Sequence, residues 1–429
     1  MSSLQRAGLL YLGLVVFIVF VGFWQGPANV SLLLLQGAAF ALVALGLNIQ
    51  FGYGGLFNFG ILGFLMIGGA AVTFASYPVS KTFWVGDGPM LLLRAFIAFA
   101  AGYALVWAAR RSDRIGIRGG WKTALVLLCW FIGYVLYRSQ IDPAAAYVEQ
   151  HDGFVGGLGL HPVIGWIFGG ILSAVVARVI GKIALGLRTD YLAIATIGIS
   201  EIIRALIKNM DWLTRGTLTV SPIPWPTPTT VELQKTGVDI ASSFLYARGM
   251  YLLVLVVIIA VVIFLVQRAY RGPWGRMMRA IRDNHIAANS MGKNVVSRQL
   301  EIFILGSALM GVGGAILVSI LQIFDPGSYQ PINHTFLLWV MVIVGGAGNN
   351  WGVLLGSLFI YLIWVLSAPL SQALFYTVSD WSTQLGWGAI PEIDSRALQM
   401  RVFVLGIVIS LALRYAPKGL IPEVVRREK

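Results

Sequence analysis

Residues 249–298 read GMYLLVLVVIIAVVIFLVQRAYRGPWGRMMRAIRDNHIAANSMGKNVVSR, and residues 302–323 read IFILGSALMGVGGAILVSILQI. No charged residue lies between Gly249 and Gln267. At roughly 1.5 Å per helical residue, such a run crosses a hydrocarbon core roughly 30 Å thick. A loop dense in arginine follows, and then a second apolar run with glycines at 306, 311, 313 and 314. Two apolar spans around a basic loop describe an integral membrane protein whose loop lies in the cytoplasm.

The loop has its own punctuation. Gly272-Pro273 puts proline at a first helical position. Met277, Met278 and Ile281 then repeat at helical spacing, with Arg276, Arg279 and Arg282 elsewhere on the cylinder. Asp283 is expected to cap a second short helix, Asn284 to Met291, and Gly292 to end it. The pattern predicts a small apolar patch of Ile286, Ala287, Ala288 and Met291 rimmed by arginine. Two readings fit it: an amphipathic helix resting on anionic lipid, or a docking helix for a protein groove. Small residues and stops at both ends favour the groove.

Composition extends the first reading to the whole chain. Of 429 residues, 58% are hydrophobic and 11% charged, with 31 Lys and Arg against 18 Asp and Glu. A soluble domain devotes about a quarter of its residues to charge. A nucleic-acid-binding chain would cluster its basic residues without long apolar runs. Both classes are excluded. Apolar runs recur at 7–24, 31–47, 54–76, 90–109, 123–137, 163–180, 191–207, 249–267, 302–323, 335–348, 353–368 and 402–415. The four shortest, starting at Thr123, Thr335, Val353 and Val402, are open to being broken or re-entrant. The first run is read as an anchor, because only Gln25-Gly26-Pro27 follows it and no small-residue cleavage motif does. The fold expected is an all-α polytopic transmembrane helix bundle of about 10–12 spans, one transmembrane domain over 1–429.

Charge orients it. With the N-terminus inside, the inside set contains Arg6, Arg110, Arg111, Arg114, Arg118, Lys122, Lys182, Arg188, Arg268, Arg271, Arg276, Arg279, Arg282, Lys293, Arg298, Arg414, Lys418, Arg426, Arg427 and Lys429, which is 20 of the 31 basic residues. The outside loops hold Asp87, Asp142, Glu149, Asp152, Asp211, Glu232, Asp239, Asp325, Asp380, Glu392 and Asp394. Both sets agree with one parity, N-in and C-in. The longest outside loop, 211–248, contains SPIPWPTP, whose alternating prolines favour extended backbone. It reads either as a docking surface for an external partner or as a cover over the helix ends.

No catalytic constellation is present. Gly181-Lys182 is followed by Ile183 and lacks the upstream glycine of a phosphate loop. There is no H-E-x-x-H, nucleophile elbow or paired carboxylate arrangement. The single cysteine, Cys129, lies in an apolar run, and no Cys/His cluster has metal-ligand spacing. The chain reads as neither an enzyme nor a metal protein.

Four polar residues stand out within the spans. Glu201 lies about eleven residues, or roughly 16 Å, into its run. Arg204 is three residues on and shares its helix face. Ionisable groups at that depth are candidates for the transport path, with a purely structural ion pair as the plainer reading. Two glycine-rich turns share G-x-x-x-N-x-G, at Gly54, Asn58 and Gly60 and again at Gly346, Asn350 and Gly352. Asn58 and Asn350 are further path candidates, and tight packing explains the glycines equally well.

GRMMRAIRDNHIAANSMGKNV followed by GSALMGVGGAI resembles the coupling segment of ABC importer permeases of the branched-chain amino-acid (LivM-like) family. Other landmarks resemble that family in order: LNIQFGYGGLFNFGILGFLMIGG, LRTDYLAIATIGISEIIRALIKNMDWLTRG, VMVIVGGAGNNWGVLLGS and YAPKGLI. Residues 80–160 depart from it, with two extra candidate helices around RRSDRIGIRGGWK. An inserted pair keeps the parity of everything downstream.

The resemblance implies that 268–298 is a cytoplasmic coupling loop in which Arg279, Ile281, Arg282, Asp283, Ile286, Ala287, Ala288, Met291 and Gly292 meet an ATPase. It also implies two cytoplasmic ABC ATPase subunits that hold ATP and Mg, a second permease subunit, a periplasmic solute-binding protein and membrane lipid as surroundings. The setting would be the bacterial inner membrane, and the solute a branched-chain or other small amino acid. The competing class is an ion-coupled secondary transporter or channel for a small polar solute such as urea. That class calls for a dense set of intramembrane charges, and only Glu201 and Arg204 lie clearly deep.

Overall fold

The apolar runs fold as helices. In chain order they are α1 (Ser3–Gln25), α2 (Pro27–Leu47), α3 (Ile61–Ser76), α4 (Lys81–Val85), α5 (Gly88–Arg110), α6 (Gly120–His151), α7 (Pro162–Ala184), α8 (Thr189–Lys208) and α9 (Asp211–Thr214). Then come α10 (Thr230–Lys235), α11 (Ile240–Arg271), α12 (Pro273–Asp283), α13 (His285–Ser290), α14 (Val295–Leu321), α15 (Leu337–Gly345), α16 (Asn350–Gln384) and α17 (Ile393–Tyr415). The computed structural model describes residues 3–112, 119–151, 153–187 and 189–423. Among these, nine helices are long and apolar enough to cross a membrane, and two shorter apolar ones cover Ile61–Ser76 and Ile332–Gly345. The remaining expected run is α8, an amphipathic helix with Asp190 in its first turn and Lys208 in its last. Every expected run thus has its helix, and the class is all-α.

The boundaries differ in an instructive way. Three of the four short runs are long helices, because polar residues continue the hydrogen-bond ladder past the apolar stretch. α6 has 32 residues and contains Pro143, α16 has 35 and contains Pro369, and α17 has 23. Only the run from Thr335 stays short, opening with a π-helical turn at Ile332–Phe336. Conversely, the run from Gly54 is not helical until Ile61. The long outside loop also ends sooner than expected, since α11 starts at Ile240 with Asp239 capping Ala241 N.

Hydrogen bonds between loops sort the helix ends into two groups. At one end, Val220 and Phe324 form an antiparallel bridge, Arg248 donates to Ala28 O, and Val155 N donates to Trp212 O. At the other, Arg282 reaches Gly52 and Glu423, Asn349 reaches Pro422 O, and Tyr11 reaches Trp351 O. This is the separation that alternating crossings produce, and the second end carries the basic residues. Arg114, Arg118, Arg188, Arg426, Arg427, Lys429, Asp113, Asp152 and Glu428 lie outside the described residues.

At the core, α14 packs on α2, α3 and α7. Small residues make that approach possible, as is usual between helices that gain no hydrophobic drive from leaving lipid. A Cβ on Gly68 of α3 would collide with the Gly311 carbonyl of α14. The Pro-rich stretch packs over the outside helix ends: Val220 and Ile223 are 0% exposed, and Trp225 meets Tyr251 edge-on.

Residues 80–160 hold α4, α5 and α6. α5 and α6 pack chiefly on each other and cross at Gly102 and Gly133, where an added Cβ would lie 2.9 Å from the facing Cα. Their tie to the bundle is at the outside end, through the Phe83, Val148 and Val155 cluster against Phe74, Leu92 and Trp212.

Candidate functional site

The basic end of the bundle is where two interrupted helices meet. α2 ends in a π-helical turn, Asn48–Tyr53, and the chain then reverses through Gly55 at φ +67°. α15 ends at Gly345, and Gly346 and Gly348 adopt φ +120° and +83°, a left-handed region open to glycine. Asn349 then caps α16 by accepting from Trp351 N and Gly352 N.

Side-chain amides join the two breaks. Gly348 N donates to Asn48 Oδ1 at 2.8 Å, and Asn48 Nδ2 donates to Asn350 Oδ1 at 2.9 Å. Gln50 Nε2 donates to Phe303 O and to Ser307 Oγ on α14, at 2.9 and 3.0 Å. Asn58 Nδ2 donates to Gln50 Oε1 at 2.8 Å, while Asn58 Oδ1 accepts from Gly60 N. All four amides are buried. Such residues belong inside an apolar bundle only when hydrogen-bonded. Asn350 Nδ2 is the one amide donor of the four left without a partner among the described residues.

Of the four expected path residues, Asn58 and Asn350 lie in this network: Asn58 accepts from Gly60 N, and Asn350 is held by the side chain of Asn48. Asn48 and Gln50 went unselected in the sequence, although two amides interrupting the apolar run in LNIQ were the available signal.

Beside this network, Phe59 N donates to Thr196 Oγ1 of α8, and a narrow crevice is lined by Asn58, Gly60, Phe64, Thr196, Ser200 and Phe303 among others. Trp339 Nε1 donates to Asn58 O and stacks on Phe59 with centroids 4.6 Å apart. Glu201 and Arg204 do pair, at 3.0 Å, with side chains 43% and 24% exposed. The pair is partly exposed on α8, Glu201 more than Arg204, and Arg204 Nε is buried without a partner among the described residues.

The loop after α11 contains the two short helices expected, with two corrections. The cap of α13 is Asn284, not Asp283: the extended backbone of Asn284 aims its Oδ1 at Ile286 N and Ala287 N. Asp283 instead ends α12 and pairs with Arg282 at 3.3 Å. Gly292 does close α13, at φ +76°.

The apolar patch also divides. Ile286 and Met291 are 68% and 80% exposed, and Ala287 is exposed, but Ala288 is buried against the bundle. Facing inward with Ala288 are Ile281 and Met278. Arg279 donates to Tyr270 O. Arg282 turns towards the bundle, donating through Nη1 to Gly52 O at 2.7 Å and to Glu423 at 2.9 Å. Burial disfavours its charge, but the Glu423 and Asp283 carboxylates outweigh that and hold the guanidinium above its ordinary value.

Among the described residues no group of His, Cys, Asp or Glu is arranged to hold a metal ion. The arrangement combines an exposed short helix, an inward arginine, and two broken helices joined by amides.

The family described as "Branched-chain amino acid transport system / permease component" matches residues 29–146 and 122–413. The chain is similar to the high-affinity branched-chain amino acid transport system permease proteins LivM of Salmonella typhimurium and Escherichia coli, 31% identical over 199 and 200 residues. Those matches cover 44% of this chain and 47% of each relative, so the chain spans about half the length of these two. The probable branched-chain amino acid transport permease protein LivM of Methanocaldococcus jannaschii is 24% identical over 395 residues, 92% of this chain and 93% of that one. No solved structure matches. With the family match running through the amide network, the loop after α11 and the late glycine-rich turn, the chain is a multi-pass membrane protein that belongs to the family of permease components of branched-chain amino acid transport systems.

Proposed function

We propose that the chain is the permease subunit of an ATP-binding-cassette importer, carrying a branched-chain or other small amino acid into the cell. The observation that carries this reading is α13, a capped helix at the basic end with Ile286 and Met291 facing outward, in a chain of this family. A short helix presenting apolar side chains suits a groove on a partner protein. In this reading the chain is no enzyme: two cytoplasmic ATPase subunits hold ATP and Mg and do the hydrolysis. A periplasmic solute-binding protein delivers the solute near the outer loop, where Leu218 and Val231 are exposed. The location is a bacterial inner membrane, with lipid around the α5–α6 hairpin.

The partly exposed ion pair on α8 supports a second permease chain. Charged side chains at mid-membrane are costly against lipid and normally face protein or a water-filled cavity. A partner packed over Glu201 and Arg204 supplies both, with the solute path running between the chains.

Uptake into proteoliposomes containing the assembled complex tests the reading. The expected result is uptake that needs internal ATP and the external binding protein. Uptake driven by a proton or sodium gradient without ATP would overturn it.

A further inference from the structure

We infer that Arg282 and Glu423 form a pin that transmits motion of the ATPase-docking helix to both helix breaks at once, making Arg282 a positioning residue for transport and the C-terminal segment a working part of the permease. The inference rests on the importer reading above.

Arg282 lies two residues before Asn284, the cap of α13, so displacement of α13 acts on it almost directly. Its Nη1 is shared between Gly52 O, in the π-helical turn of the first break, and Glu423 Oε2. Gly52 is two residues from Gln50, whose amide holds α14 and Asn58.

Glu423 leads to the second break. A Cβ on Gly348 would lie 3.0 Å from Glu423 Oε2, so carboxylate and glycine are in contact. The segment before Glu423 is woven into the end of α15, with Leu420 N donating to Val344 O at 2.8 Å and Ile421 N to Gly345 O at 3.0 Å. Its Pro422 O accepts from Asn349, the cap of α16. The motif YAPKGLI thus supplies hydrogen bonds that the interrupted α15 lacks, and two residues after it stands the carboxylate that Arg282 holds.

The joint is built to move as a unit. Tyr53 and Tyr270 stack beneath it with centroids 3.7 Å apart, tying the first break to the end of α11. Gly52 and Gly348 approach so closely that a Cβ on Gly52 would collide with Gly348 N. Packed elements of this kind shift between discrete arrangements instead of deforming gradually. The charged pair is half-buried, with side chains 21% and 22% exposed, so it is screened less than a surface pair.

The test uses the complete transporter complex carrying Arg282→Ala or Glu423→Gln, and reads three quantities: ATPase co-purified, ATP hydrolysed, and solute taken up per ATP. Both variants are expected to retain the ATPase subunits, because Ile286 and Met291 are untouched. Uptake per ATP is expected to fall at least tenfold in Arg282→Ala and severalfold in Glu423→Gln, and hydrolysis to lose its dependence on the binding protein. The charge exchange Arg282→Glu with Glu423→Arg is expected to recover part of the loss relative to Arg282→Glu alone.

Unchanged uptake per ATP in either variant overturns the pin, as does a loss of uptake fully explained by loss of the ATPase. If Arg282→Ala does not assemble, Glu423→Gln decides, because it keeps the shape and an acceptor and removes only charge. Failure of the importer reading shows separately, as a wild-type complex that transports without ATP.

Discussion

Asn48 and Asn350 are 302 residues apart in the chain, yet Asn48 Nδ2 lies 2.9 Å from Asn350 Oδ1 in a buried contact. Asn48 also accepts from Gly348 N, so one side chain holds together the end of α2 and the start of α16. Asn48→Leu keeps the size and leaves the Gly348 donor and the Asn350 amide unpaired. The prediction is a stability loss of about 1–3 kcal/mol per orphaned group, read as a lower melting temperature of the purified permease in detergent. An unchanged melting temperature would show that the amide bridge holds nothing.

The exposed and buried faces of α13 separate docking from folding. Ile286→Arg or Met291→Arg is predicted to detach the ATPase subunits in a pull-down and to leave the permease's stability within about 0.5 kcal/mol of wild type, as for other surface changes, so that its melting temperature barely moves. Ala288→Arg puts a long cation where only 5% of the residue is exposed. It is predicted to destabilise the permease itself. Equal melting of all three variants would contradict the division of the patch.

Glu201→Gln leaves Arg204 without its carboxylate. Because the pair is partly exposed within one chain, the isolated permease is predicted to melt nearly unchanged. Uptake by the assembled complex is predicted to fall severalfold, with weaker association of the second permease chain in cross-linking. A folding defect without any change in association would instead make the pair purely structural.

Gly68→Ala is predicted to be among the most damaging single changes in the bundle. Its methyl would meet backbone, the Gly311 carbonyl, which cannot swing aside as a side chain would. Overpacking of this kind costs about 1–3 kcal/mol or more. The measure is the yield of monodisperse protein; Gly198→Ala on α8, where nothing lies within 4 Å, is the control. Equal yields would refute the close approach of α3 and α14.

Much of this was legible because it depends on local chemistry. Crossings follow from apolar runs, orientation from the placement of Lys and Arg, and the limits of α12 and α13 from Pro273 and Gly292. Helix lengths were less so: α16 continues through Pro369 to Gln384 because packing and backbone bonding, not apolarity, set where it stops. The cap of α13 lies one residue beyond the Asp283 that the sequence favours, since Asp283 and Asn284 are both good caps and only backbone direction separates them.

By itself the sequence determined that this is an all-α membrane bundle with a basic inner end and a short capped helix projecting from it, because each of those properties is carried by residues close together in the chain. Only the tertiary structure decided that Ala288 faces inward, that Arg282 serves the permease's own backbone, and that Asn58 and Asn350 are clamped by Gln50 and Asn48. The contacts of Asn350 and Arg282 join positions distant in sequence, and Ala288 is buried where α13 folds back beside α12 and α14. Asn58 lies eight residues from Gln50, but only the unwound backbone between α2 and α3 turns the two amides towards each other. A polar side chain within a span is costly to bury without a partner, and the sequence does not say which partner the fold will bring to it.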